Sequence, residues 1–484
     1  MTSLPVAEAD PRPALRLFLA VAGASVGLLA TVILVEGNAV GAIAAALFGV
    51  LLLCMAIDLT TGSIALLAVS ILVPTGVALY FGPTLPLVTF QRLTFLMLLG
   101  GVAFHAPIRY LEAIVTTPRN LLLLGMIMVM AIATLVSRNP ALSQREFLSE
   151  RGLGLPLYFA AVWVALRDVT ACRRALWAFA AVGSVILLIA GLEALTGHGV
   201  VAQLGLLPQE KLLALGYRLE LERRAGLPRV QSVFQHPLQL GAYLVVLMPL
   251  LVALRRSATG RWQRALSLVT LALGLLALVF TWSRGAWLAL LLALLLSSGR
   301  GGRRWLLLGA GGAAFLLVWW RLGFLTGGAL GYRWWLIRGV AHSVFSHYGF
   351  GTGLGTFSQN VIVRIASTSQ TVGVDPLAYS LTMAIEAGPL FVVLLWWLVG
   401  GSLREVARAR TQARDAGRTD VADLLGALRA GLLANLLLSL VTTSLFGTTE
   451  GLFITFMLLA VTLRLSRGDP AAPAALPPEP ALAR

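Results

Sequence analysis

The sequence predicts an all-α, polytopic membrane protein of about 12 to 14 transmembrane helices. Composition is the first observation: 58% of the 484 residues are apolar and only 12% are charged. With a mean hydropathy of +0.86, the chain lies far from a soluble globule. The second is a succession of apolar runs of about 17 to 25 residues, the length that crosses a bilayer. The third is arginine placement, because basic connectors recur at alternate turns and so fix an orientation.

The opening residues, MTSLPVAEADPRPALR, lack a short apolar core followed by a small-residue cleavage site. No cleavable signal peptide is therefore expected, and residues 1–13 lie inside with the first span starting at Ala14. Spans follow near 14–35, 39–57, 63–81, 90–105, 120–136, 154–166, 174–194 and 238–254. Further spans are placed near 265–281, 285–298, 305–320, 377–400, 424–442 and 451–464. An even count puts both ends on the inner side. The connectors Arg109–Arg119, Arg167–Arg174, Arg255–Arg264, Arg300–Arg304 and Arg404–Arg418 then share that side. Membrane helices thus occupy 14–320 and 377–465, with outer loops near 137–152 and 196–237 and a large outer loop over 321–376. The tail 466–484 is rich in Pro and Ala and is expected to be disordered.

The net charge of +16 comes almost wholly from arginine, Lys211 being the single lysine. In such a chain, positive charge points to orientation and anionic headgroups rather than to nucleic acid. Cys54 falls in a span and Cys172 in a basic connector, so neither a disulfide framework nor a metal site is expected. No zinc spacing, Ser/His/Asp elbow, Walker sequence or acidic pair appears on the outer side, and no cofactor is implied.

The outer segments carry many arginines although the orientation rule predicts few there. Arg145, Arg218, Arg223 and Arg224 have Glu146, Glu150, Glu220 and Glu222 nearby as ordinary partners. Others suit an anionic ligand, for which a membrane-bound diphosphate is the natural candidate. In LPRVQSVFQHPLQLGAYL, Pro237 starts a helix and puts His236 at its mouth, with Arg229 seven residues earlier. That pairing fits either a phosphate or sugar site or a structural cap. In FTWSRGAWLAL, the turn Trp282–Arg284 brings Arg284 to the outer interface, where it contacts ligand or snorkels to headgroups.

The segment Gly331–Phe357 concentrates Arg, His, aromatic and Gly residues outside the spans. Drawn as a helix, Tyr332–Phe345 puts Arg333 among Leu336, Ile337, Val340 and Val344, where a charge needs a partner. Arg333 is therefore the first choice for a buried diphosphate contact, while Arg338 and His342 fall on the interfacial side. Gly349, Gly351, Gly353 and Gly355 read as a flexible turn where backbone can approach sugar or lipid. Asp375-Pro376 is a helix start, so Asp375 is either an N-cap or a base. Within the following span, Tyr379, Thr382, Met383 and Glu386 share a face. There Glu386 lies about 15 Å along the helix, as a functional carboxylate or a tie between helices.

Taken in order, RVQSVFQHPLQLGAYL, FTWSRGAWLAL, YRWWLIRG, YGFGTGLGTF and LAYSLTMAIEAGPL resemble the O-antigen ligase and O-antigen polymerase family of bacterial membrane glycosyltransferases. The resemblance covers roughly 225–465. It implies a GT-C-like fold and metal-independent transfer of a glycan from an undecaprenyl diphosphate carrier to a glycan or lipid acceptor at the periplasmic face. By motif position it also implies that Arg229, Arg284 and Arg333 hold the diphosphate. His236, Tyr332, Arg338 and Tyr379 are further substrate-binding candidates, read from the residues themselves. Ligases of this family usually read HNSYL with a glycine eleven residues after the His. Counting back from Gly388, Leu377 stands in that place. The departure favours a polymerase-like member over ligation to lipid A core or protein, with Asp375 or Glu386 assisting the acceptor. A transporter or lipid flippase is the reading from another class. The lack of an internal repeat and the one-sided polar set disfavour it.

Overall fold

The computed structural model describes residues 49–51, 53–73, 78–79, 88–137, 139–148, 154–203, 217–224, 226–297, 339, 341–342, 344, 349–357, 362–364, 371–373, 379–440, 445 and 449–467. Nearly all of these are helical. In order come α1 (Leu59–Leu72), α2 (Phe90–His105), α3 (Pro107–Thr116), α4 (Pro118–Leu135), α5 (Pro140–Phe147), α6 (Leu155–Ala165) and α7 (Val169–Thr196). They are followed by α8 (Pro237–Ser257), α9 (Arg261–Phe280), α10 (Arg284–Ser297), α11 (Tyr379–Glu386), α12 (Pro389–Asp415), α13 (Thr419–Leu438) and α14 (Thr449–Arg467). Short antiparallel strand pairs close three turns, among them Arg223–Arg224 with Leu227–Pro228.

Five described helices are long and apolar enough to cross a membrane, and six if α2 and α3 count as one bent span. The predicted spans 14–35 and 305–320 lie outside the described residues. The all-α, multi-pass class stands, while the count of 12 to 14 rests on the sequence.

Helices α8 and α13 form the axis of the bundle, packing most extensively on each other, with α13 also against α10 and α12 and α8 also against α9 and α10. Lipid tails are as apolar as leucine, so close approach of small residues does the work that water exclusion does elsewhere. A Cβ at Gly431 of α13 would lie 3.0 Å from Val246 Cα of α8. Polar pairing adds specificity: Asn435 donates to Ala242 O (3.0 Å) and its Oδ1 accepts from Leu445 N (3.3 Å), all buried. By contrast α9 lies at the rim and shows Leu268, Val269, Leu275, Leu276 and Val279 outward, as a lipid-facing helix should.

The two ends of the bundle differ. At one end, four of the predicted basic connectors meet through Arg119–Glu405 (2.6 Å), Arg173–Asp420, Arg256–Asp423 (3.3 Å) and the Arg464–Arg167 carbonyl bond (3.0 Å). The fifth, Arg300–Arg304, lies outside the described residues. The opposite end gathers hydroxyl and carboxylate contacts such as Glu193 with Ser232 and Ser143 with Leu354.

Three predicted features change. Helix α2 does not end in a loop, because the chain bends by 111° at Ala106 and continues as α3. Pro107 at the first position of α3 starts that new direction. Cys172 lies inside the first turns of α7, buried, rather than in a connector. The span predicted over 377–400 is broken between α11 and α12. There Gly388 takes φ +94, and a Cβ on it would stand 2.5 Å from Gly349 O. Only glycine meets both demands, and Pro389 restarts the helix.

Candidate functional site

At the end away from the basic connectors, the N-termini of α8 and α10 meet. A Cβ on Gly241 would lie 2.9 Å from Ala286 Cβ and 3.1 Å from Ser283 Cβ, so glycine lets the first turns of the two helices touch. Their positive dipole ends therefore face the same region, with the first N–H groups of α8 capped by His236 and those of Ala286 and Trp287 in α10 by Ser283. The tight turn between α9 and α10 is held by Thr281, whose hydroxyl donates to Leu278 O (2.7 Å) and accepts from Ser283 N (3.2 Å). Trp282 sits in it at φ +52, a left-handed conformation that a bulky residue enters only when its surroundings enforce it.

Arg229 crosses to this turn from the preceding loop. Only 4% exposed, its Nε donates to Thr281 O (3.0 Å) and its guanidinium bonds Glu222 (3.1 Å). Glu222 is shared, since Arg224 also bonds it at 2.9 Å from the solvent side. Partial burial would raise the Glu222 carboxyl, but the two arginines outweigh this and hold it below the ordinary range.

His236 caps α8, its Nδ1 accepting from Leu238 N (3.1 Å). Burial, reinforced by the Arg229 charge, lowers its pKa to about 4. Since Nδ1 is an acceptor, the neutral ring carries its proton on Nε2 and offers a donor there. Nearby on the same helix, Gln239 Oε1 is buried with no hydrogen-bond partner among the described residues, as is Trp282 Nε1 in the turn.

A buried carboxylate that sequence reasoning missed organises this loop from below. Glu193 of α7, wholly buried, accepts from the backbone N–H groups of Val200 (3.2 Å), Gln231 (2.9 Å) and Ser232 (2.6 Å). Ser232 adopts φ +55 to present that N–H, and its hydroxyl donates to Ile186 O (2.7 Å). Glu193 was visible in principle: it is the lone carboxylate in the apolar run of α7.

Glu386 occupies a second network. Instead of lying deep in a continuous span, it is the last residue of α11, at the break, and its Oε1 accepts from Phe357 N (3.0 Å). The glycine segment 349–357 lies against this break and is held rather than loose. Thr352 N donates to Ile385 O (2.8 Å), Gly353 N to Glu386 O (3.0 Å), and Ser143 Oγ to Leu354 O (3.0 Å). All four glycines have positive φ. Cβ atoms would clash at Gly351 with Glu386 O (2.6 Å) and at Gly353 with Ser137 Oγ (2.0 Å). The regular glycines thus serve left-handed backbone and close packing.

Of the predicted site residues, Arg229 and His236 come together at the paired helix starts, and Arg284, half-buried, is the first residue of the neighbouring α10. Tyr379, half-buried, opens α11 near the Ser380–Ser439 hydroxyl pair (2.8 Å). Tyr332, Arg333, Arg338 and Asp375 lie outside the described residues. The expected ordinary pairing holds for Arg224, which meets Glu222. No protein-family model matches the chain, and no curated protein matches it either.

Proposed function

We propose that the protein is a bacterial inner-membrane glycosyltransferase that polymerises, or transfers, oligosaccharide repeat units linked to undecaprenyl diphosphate at the periplasmic face. The observation that carries this reading is the meeting of two helix N-termini beside Arg229, Arg284 and a neutral His236. Helix starts favour phosphate through their positive dipole ends, and arginine forks match phosphate geometry. By the orientation rule, the end with the basic connectors faces the cytoplasm and this site the outside.

In this reading Thr281 O keeps Arg229 in place while the incoming diphosphate replaces the half-exposed Glu222 as its partner. His236 Nε2–H donates to a donor oxygen. The acceptor hydroxyl attacks the anomeric carbon, the bond from that carbon to the diphosphate oxygen breaks, and the hydroxyl proton passes to Asp375 or Glu386. The leaving diphosphate keeps the bonding pair, stabilised by Arg229, Arg284 and Arg333. Leu377 in place of the histidine of HNSYL favours polymerisation over ligation.

The test is the surface glycan banding of a deletion strain carrying wild type, Arg284→Gln or Arg333→Ala. Loss of long chains with single repeats still anchored supports a polymerase. Loss of all attached glycan, with long chains accumulating on the carrier, supports ligation. An unchanged pattern overturns both and points to transport, a class in which broken helices such as α11–α12 also occur.

A further inference from the structure

Helix α13 is buried along most of its length, packed against α8, α10 and α12. Between Leu424 and Leu440, only Arg429, Leu433, Leu437 and Leu440 are not buried. At these helical spacings the four residues form one narrow stripe, left open along the side of the bundle. Its leucines suit acyl chains. At its other end stands an arginine, inside the predicted span 424–442, where a charge needs an anion.

Among the described residues, the protein does not supply that anion. Arg429 is half-buried, its Nε is sealed off without a hydrogen-bond partner, and no carboxylate pairs with it. A second cation lies beside it. Gly426 precedes Arg429 by one turn on the same face, and a Cβ there would stand 2.7 Å from Arg410 Cζ, so glycine makes room for the Arg410 guanidinium. Arg410 Nε also lacks a partner, while its Nη2 donates to Ser297 O at the end of α10 (3.3 Å). Helical side chains lean towards the N-terminus, which brings the Arg429 head towards Gly426 and Arg410, and the two charges act on each other. Arg414 adds a third positive charge, and Asp423, which offsets Arg410, is shared with Arg256 (3.3 Å). The cluster is left with a surplus of positive charge.

We infer that this stripe binds an anionic glycerophospholipid of the inner leaflet, its phosphate between Arg410 and Arg429 and an acyl chain along Leu433, Leu437 and Leu440. Basic pockets between membrane helices on the cytoplasmic side recognise lipid headgroups in this manner. The length agrees: at about 1.5 Å per residue, Arg429 to Leu440 covers about 16 Å, half of a hydrocarbon core about 30 Å thick. A zwitterionic headgroup would bring its own cation into a cluster already positive, and a soluble anion would make no use of the leucines. The site lies at the basic end of the bundle and does not depend on the catalytic reading.

The full-length protein in detergent, titrated with dioleoylphosphatidylglycerol and followed by native mass spectrometry, tests this. Arg429→Gln and Arg410→Gln should each weaken binding about fivefold. Arg261→Gln, a basic residue outside the stripe, should bind as wild type does. Arg429→Gln removes no ion pair within the described protein, so it should keep the melting temperature of the lipid-free protein and lose most of the rise that the lipid gives wild type. Should Arg410→Gln fail to fold, Arg429→Gln alone decides. Equal binding by Arg429→Gln and wild type overturns the proposal, as does equal occupancy by dioleoylphosphatidylcholine. Displacement of the lipid by millimolar inorganic phosphate overturns the lipid assignment.

Discussion

Both ends of the bundle are rich in arginine, yet they use it differently. At the basic end, guanidinium groups pair across helix termini while still exposed: Arg256 is 56% exposed and Arg467 45%. Such pairs contribute little to stability and tell the chain mainly which way to insert. At the opposite end, Arg229 is buried and bonds a backbone carbonyl, and Glu193 beneath it holds three backbone N–H groups. The number of arginines therefore does not mark the site. What marks it is a charge taken out of solvent and tied to backbone.

The contrast is sharpest at Glu193. Glu193→Ala strands three buried N–H groups and should cost about 3–5 kcal/mol, seen as a large fall in melting temperature in detergent. A loss below that of Arg256→Ala would erase the difference between the ends. Next comes Arg229→Ala, which leaves Thr281 O unpaired and is expected to cost about 1–3 kcal/mol, with Arg229→Lys recovering part of it. Gly388→Ala, forced into positive φ against Gly349 O, should lose a similar amount. Arg256→Ala is the small control, at about 0–1 kcal/mol.

Acid separates the ends by a different route. His236 stays neutral in the fold down to about pH 4, whereas in the unfolded chain it takes its proton near 6.5. Its contribution is complete above 6.5 and is lost as pH falls from there towards 4. Melting temperature should drop over that window in wild type and more weakly in His236→Asn, which keeps a cap without the titration. Equal slopes would remove His236 from the buried cluster.

The sequence announced what depends on local chemistry. Apolar run length placed α4, α7, α8, α9, α10 and α13, and Pro237 located the start of α8 with His236 as its cap. It could not announce what depends on a distant partner. Gly388 breaks a span because Gly349 approaches it from 39 residues earlier in the chain, and Glu193 is satisfied by Gln231 and Ser232 across two loops. A periodic run of glycines also reads alike whether the turn is loose or packed. Its packing became visible only with Ser143, Thr352 and Glu386 in place.

The most direct measurement is binding of a polyprenyl-diphosphate oligosaccharide to the purified protein, comparing wild type with Arg284→Gln, Arg229→Lys and Arg261→Gln. The account predicts that the first two variants bind the donor about tenfold more weakly and that Arg261→Gln, at the basic end, binds it like wild type. Unchanged affinity in both outer-end variants, or a loss only in Arg261→Gln, would contradict it and remove the paired helix starts from the donor site.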